Sequence, residues 1–199
     1  WNSWQEGKRS HLFVIASEGG KPVDVTPGDY DTPPISLGGF QDYIFSPDGK
    51  NICFVRNIDP EFKLSLGTNN DLFLTTPDGG KMTQLTKNKA NDNSPRCSPD
   101  GRFIAYRAMS RPGFEADKYS LIIYDQKSEN MINLTESLDL SVNDILWSAD
   151  SSSIYITYEE KGRIGLSQIS LKDKKMEKIL EGHYISSPCL SPDGRKMFF

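Results

Sequence analysis

The densest chemistry in this chain lies in one run, Arg107-Ala108-Met109-Ser110-Arg111-Pro112-Gly113-Phe114-Glu115-Ala116-Asp117-Lys118-Tyr119. It carries two guanidinium groups, two carboxylates and two aromatic rings beside the end of an apolar stretch. A carboxylate pair such as Glu115 and Asp117 can hold a protonated amine, while Arg107 and Arg111 can clamp a carboxylate or a peptide carbonyl. The same groups can instead pair among themselves, with Arg107, Arg111 or Lys118 neutralising the two acids and holding the loop down. The spacing leaves both readings open. Asp59 and Glu61 pose the same question, and there a solvated loop is the expected answer.

Other reactive groups point away from catalysis within the chain. No G-x-S-x-G nucleophile elbow and no glycine-rich phosphate loop occurs, and no serine has a recognisable base partner. No catalytic residue is therefore assigned. His11 and His183 are far apart and lack a spaced set of cysteines or carboxylates, so neither a metal nor a cofactor is expected. Of the three cysteines, Cys53 reads as core, and Cys97 and Cys189 as strand packing beside matching turns. They do not form a disulfide scaffold. Trp147 should pack between repeats, while Trp1 and Trp4 suit either a ligand stack or a truncated edge. Asn133-Leu134-Thr135 fits a glycosylation pattern, but its place at a strand end argues for a structural role.

The charge balance excludes further classes. The 199 residues carry a net charge of -4 with no block of five like charges, so a basic nucleic-acid footprint is not expected. No apolar run approaches the roughly 18 residues of a membrane span. Trp1 in place of an initiator Met implies a processed or truncated start.

Internal repetition sets the fold. Ser46-Pro47-Asp48-Gly49 recurs at Ser98-Pro99-Asp100-Gly101 and Ser191-Pro192-Asp193-Gly194, with a degenerate copy at Ser148-Ala149-Asp150-Ser151. Proline presets its own φ, Asp tolerates the next position, and Gly accepts the left-handed conformation that closes a tight hairpin. The Ser can accept a local backbone hydrogen bond. With Ala and Ser in place of Pro and Gly, the degenerate turn should be less firmly specified. Strand-length β-branched and aromatic runs flank each copy, such as Tyr43-Ile44-Phe45 and Ile52-Cys53-Phe54-Val55. Second hairpins lie between the copies, as in Asp71-Leu72-Phe73-Leu74, a Pro77-Asp78-Gly79-Gly80 turn, and Met82-Thr83-Gln84-Leu85-Thr86.

Four short strands, A to D, per repeat predict an all-β protein: a partial β-propeller of four-stranded antiparallel blades. A two-sheet sandwich gives no reason for one turn to recur at the same place. No helical stripe supports an α/β fold. The predicted divisions are a half blade at 1–28 (strands C and D), full blades at 40–87, 92–137 and 142–181, and a half blade at 184–199 (strands A and B). All belong to one propeller domain. The halves would close a four-bladed ring if they paired, but a longer ring is the preferred expectation, since an open arc leaves bare sheet edges.

In an up-down blade the A–B and C–D turns share one face, and the B–C and D–A connections share the other. The first set is short here. The second includes long excursions at 56–70, 107–118 and 27–41, and variable connections on a rigid scaffold are where binding groups sit.

These blades, the Leu-Phe strands before Gly-Gly turns, and the endings Gln84-Leu85-Thr86 and Asn133-Leu134-Thr135 resemble the propeller of the prolyl oligopeptidase family of serine peptidases. Ala105-Tyr106-Arg107-Ala108-Met109 followed by Arg111-Pro112-Gly113-Phe114-Glu115-Ala116-Asp117 resembles a run of its dipeptidyl-peptidase V and acylaminoacyl-peptidase-like branch. The tetrad alone is shared with TolB-like propellers that bind proteins without catalysis. The resemblance implies short peptides as partners and an α/β-hydrolase domain that follows covalently and supplies a Ser-Asp-His triad. It implies that the propeller gates entry, with Glu115 and Asp117 as partners for a free α-amine and Arg107 and Arg111 orienting the loop or substrate. It also implies a periplasmic or secreted location, although three reduced cysteines would suit cytoplasm, and it leaves homo-oligomer formation open.

Overall fold

A computed structural model describes residues 7–35, 42–60, 63 and 67–199. Trp1, Trp4 and Glu61 lie outside the described residues. The sheets among the described residues are built of strands in antiparallel pairs. The first two-stranded sheet joins β1 (Phe13–Val14) to β2 (Val23–Asp24). Three four-stranded sheets follow in simple up-down order. They comprise β3 (Tyr43–Phe45), β4 (Ile52–Arg56), β5 (Asp71–Thr75) and β6 (Thr83–Gln84); β7 (Asp92–Cys97), β8 (Phe103–Ala108), β9 (Ser120–Asp125) and β10 (Asn130–Asn133); and β11 (Val142–Trp147), β12 (Ser153–Glu160), β13 (Arg163–Ser170) and β14 (Met176–His183). A last pair joins β15 (Cys189–Leu190) to β16 (Met197–Phe198). These repeated sheets are propeller-like blades.

Each recurrent tetrad makes the same bonds. Its Ser Oγ donates to the Asp carboxylate at 2.6, 2.5, 2.6 and 2.5 Å in the four copies. The same Oγ accepts the N–H five residues on, at 3.0, 2.9, 3.0 and 2.9 Å. The degenerate copy forms the same bonds as the others. Ser and Asp, the two residues it keeps, carry the side-chain bonds. Ser151 takes φ 59° where Gly49, Gly101 and Gly194 take 70°, 72° and 67°, so the geometry survives at the cost of a left-handed non-glycine residue.

A second device recurs where strand D ends. Thr26, Thr86 and Thr135 are buried, and their Oγ1 atoms accept the N–H groups of Leu12, Leu72 and Leu121 at 2.8, 3.0 and 2.9 Å. The residue before each Thr donates back to the same leucine's carbonyl. Each Thr thus extends the C–D pairing past the regular strand, which is why a Leu/Val-Thr ending recurs. Asn133 belongs to this device, its Oδ1 accepting the Thr135 N–H at 3.0 Å.

The chain divides into two compact units, Trp1–Pro95 with Ser110–Glu115, and Arg96–Met109 with Ala116–Phe199. In the first, Val25, Ile52, Phe54 and Phe73 form a core with Leu12, Val14 and Met82 against it, and Phe54 stacks on Phe73 at 5.7 Å. Cys53 is fully buried, as expected. In the second, Ala105, Leu121 and Ile123 of one blade pack with Ile145, Trp147, Ile154 and Ile156 of the next. Trp147 stacks on Phe103 at 6.1 Å and donates its indole N–H to the Arg96 carbonyl at 2.9 Å. That places the tryptophan between blades, and its polar edge is satisfied.

The connections from strand B to strand C differ sharply among the blades. They occupy residues 57–70 and 109–119 in the first two full blades. In the third, Lys161 and Gly162 alone join β12 to β13 with φ 52° and 74°, the conformation a two-residue hairpin turn requires. This blade extends its hairpin instead of an irregular loop, so the expectation of long B–C connections holds for two blades of three.

Candidate functional site

Of the residues singled out by sequence, Arg107 and Asp117 belong to the second unit. Arg107 sits near the end of β8, its guanidinium 4.6 Å from the Tyr119 ring centroid and donating to the Asn143 carbonyl at 3.0 Å. Tyr119 is fixed in turn, with Val142 N donating to its carbonyl at 2.9 Å and its own N–H donating to Ser141 Oγ at 3.1 Å. Lys118 Nζ donates to the Leu138 carbonyl at 2.7 Å. Asp117 is buried and engaged within the protein.

Arg111 and Glu115 belong to the first unit. Arg111 stacks its guanidinium 4.0 Å from the Phe114 centroid. Gly113, at φ 72°, donates its N–H to Thr68 Oγ1 at 3.0 Å, which pins the segment to the residues leading into β5. Glu115 is exposed. The two acids therefore differ in setting, one buried and one in water. The contacts bring Arg107 together with Tyr119, and Arg111 together with Phe114.

Sequence reasoning passed over a second group of residues in the first unit. Arg56, at the end of β4, is 2% exposed. It donates to Thr32 Oγ1 at 2.7 Å, to the Thr26 carbonyl, and more weakly to the Pro27 carbonyl at 3.4 Å. Tyr30 and Phe54 flank its guanidinium at 5.5 and 5.6 Å. Burial holds this group below the ordinary arginine range, with the Asp24 charge pulling the other way. One fork of donors thus fastens residues 26–32 to the strand end. The available signal was a cation closing the apolar run Ile52-Cys53-Phe54-Val55.

The other members are acids and amides. Asp71, Asp92, Asn69, Asn70, Asn91 and Asn93 are each at most 2% exposed. Such density is unusual for groups that almost never bury without partners. Its sequence trace, Thr68-Asn69-Asn70-Asp71 and Asn91-Asp92-Asn93, resembled ordinary loop composition. Asp59 pairs with Lys89 at 3.9 Å.

No three His, Cys, Asp or Glu gather as a metal site among the described residues. His11 places Nδ1 2.7 Å from Asp24 and Nε2 3.0 Å from the Gly28 carbonyl. Both ring nitrogens are occupied, so neither is directed at a serine hydroxyl as a catalytic relay would require. In the second unit, an open groove of about 480 Å³ lies beside the extended hairpin, lined by Glu160, Arg163, Lys178 and Glu181 among others. Hydrogen bonds from Lys178 to Glu181 and Glu160 hold its ammonium well above the usual lysine range. Among the described residues no helix is long and apolar enough to cross a membrane.

Comparison with known proteins places this geometry. No family model matches the chain. It is 29% identical over 190 residues to dipeptidyl-peptidase 5 of Porphyromonas gingivalis, covering 92% of this chain and 28% of that relative. The chain thus spans little more than a quarter of the relative's length. Among solved structures, it is similar to a putative TolB from Agrobacterium tumefaciens, with TM-score 0.66 and 20% identity over 95% of this chain and 62% of the other. It is also similar to a puromycin-hydrolyzing peptidase of Mycobacterium tuberculosis, with TM-score 0.63 and 17% identity over 88% of this chain and 31% of the other. The chain is a β-propeller-like domain distantly related to dipeptidyl-peptidase 5, and it shares its fold with TolB.

Proposed function

We propose that this chain is the propeller region of a serine exopeptidase, where it screens and positions short peptides for a hydrolase domain outside this sequence. One observation carries the reading: the similarity to dipeptidyl-peptidase 5 runs through 92% of this chain yet occupies only 28% of the relative. Acylation and hydrolysis would occur on a serine elsewhere, and the propeller's contribution would be to hold the peptide in a reactive position. In this proposal Glu115 or Asp117 takes the free α-amine, while Arg107 and Arg111 orient the loop or peptide. A periplasmic or secreted setting belongs to the same reading.

The test uses the full-length parent with Glu115→Gln and Asp117→Asn, singly and together. A charged hydrogen bond contributes about 1.5–3 kcal/mol. Losing the contact should therefore lower kcat/KM for free-amine peptides by roughly 10- to 150-fold relative to blocked ones. An unchanged ratio in all three variants refutes the amine contact.

Similarity to TolB over 95% of this chain favours a second reading, a protein-binding propeller without a hydrolase. The coding sequence beyond Phe199 separates the two. A G-x-S-x-G segment after the blades supports the peptidase, and a propeller completed without one supports the binding module.

A further inference from the structure

Among the described residues, the hydrogen-bond donors to Asp71 and Asp92 are all neutral. Thr86 Oγ1 and Gln84 Nε2 donate to Asp71 at 3.1 and 3.0 Å, and Asn88 Nδ2 donates to Asp92 Oδ2. Thr86 lies within reach of both carboxyls. Asp92 is 0% exposed, and its Oδ1 has no partner among the described residues, nor has the buried amide of Asn69. Among the described residues the other charges facing the pair are Asp59 and Lys89, which pair with each other at 3.9 Å, the lysine being 70% exposed, and Arg56, which stands across the strands from Asp71 but gives its donors to Thr26, Pro27 and Thr32. Two buried carboxylates to which no cation donates a hydrogen bond cannot both stay ionised cheaply.

Around this pair two connections are fastened side by side. Asn70 N donates to the Ala90 carbonyl at 3.3 Å, Asp92 N donates to the Asn70 carbonyl at 2.9 Å, and Asn70 Nδ2 donates to Asn91 Oδ1 at 3.0 Å. Asn70 and Asn91 form a parallel bridge. Thr68, which accepts Gly113 N–H, lies two residues away.

We propose that Asp71 and Asp92 form a proton-operated clasp: a proton on the pair keeps residues 67–70 closed against residues 88–92, and its loss lets them part. Burial drives both carboxyls upward, Asp71 to about 6 and Asp92 to about 7, with the Asp71 charge raising Asp92 further. Once open to water each returns towards about 4. The closed form therefore binds the proton more tightly. The clasp is firmest below about pH 4, loosens as pH rises towards about 7, and is fully loosened above that.

Amide exchange at Asn70 and Asp92, corrected for its intrinsic pH dependence, tests this in the intact protein. Exchange should rise by up to about tenfold per pH unit between about 5 and 7 and level off above. Asp92→Asn, whose amide oxygen can keep the bond from Asn88, should flatten that rise. A pH-independent wild type, or an Asp92→Asn protein with the wild-type slope, overturns the proposal. Should the variant fail to fold, infrared spectra of the wild type decide: a protonated-carboxyl band should persist at about pH 6 and fade by about pH 8, where ordinary aspartates are already ionised at both. Its absence at the lower pH overturns the clasp equally.

Discussion

Replacing the tetrad serines with alanine, one at a time, measures what the recurrent turn contributes. Ser98 and Ser191 make the same bonds within one unit but differ in burial, with Ser98 fully buried and Ser191 only partly so. Ser98→Ala removes the 2.5 Å bond to Asp100 and strips the Phe103 N–H of its 2.9 Å acceptor. A typical hydrogen bond contributes about 1 kcal/mol net, and a buried donor left without an acceptor costs about 1–3 kcal/mol. Together these predict a loss of about 2–4 kcal/mol for Ser98→Ala. At Ser191 water can reach the freed Lys196 N–H, so the loss there should be about 1 kcal/mol or less. Urea denaturation resolves the two if the slope of stability against denaturant stays constant, so that midpoints compare directly. Equal losses at the two positions would refute the claim that the hydroxyl satisfies the turn rather than merely decorating it.

Two further substitutions probe positions that the repeat does not explain. A Cβ on Gly165 would lie 2.7 Å from Tyr158 Cζ, so Gly165→Ala should destabilise the second unit by about 2–3 kcal/mol through overpacking. Combining it with Tyr158→Ala should give clear non-additivity in the same denaturation assay. Arg56→Met leaves the Thr26 and Thr32 acceptors without their buried donor and should lose about 2–4 kcal/mol. Arg56→Lys should recover little in that assay, because a single ammonium cannot reproduce the fork.

Local chemistry with a fixed period was legible before any coordinates. The tetrads announced the hairpins because proline, aspartate and glycine each suit one turn position, and β-branched runs at either side marked the strands. The Leu-Thr endings were visible too, but their reason was not: each threonine hydroxyl reaches a backbone N–H fourteen residues back, a pairing that exists only after strands C and D align. The degenerate turn forms without proline and glycine because Ser148 and Asp150, which it keeps, do the bonding. Those bonds, led by the one from Ser148, hold the exposed Asp150 carboxyl down at about 2. Arg56 and the Asp71–Asp92 pair stayed hidden for a different cause. Charged residues at strand ends are ordinarily solvated, and only the packing of neighbouring connections turns these into buried groups.

Counting ten residues from each tetrad serine exposes where the blades cease to be copies. The positions reached are Arg56, Ala108 and Tyr158, whose cross-strand partners are Asp71, Ser120 and Gly165. If these sites served the scaffold alone, the same small set of side chains would recur there, as it does in the turns and in the threonine endings. Instead each pair does something different. Arg56 reaches back to residues 26–32 while Asp71 joins the buried acid pair. Ala108 and Ser120 are small residues bracketing the segment that carries Arg111 and Glu115. Tyr158 covers Gly165, and that blade closes in a tight turn. Natural folds break their local rules mainly where function or strain requires it, and connections vary more readily than the strands they join. These pairs stand at the B–C end of the blades, from which two of the three full blades send long connections. Under the proposed function, substitutions at that end of each blade should alter binding, whereas those in the short A–B turns should alter stability alone.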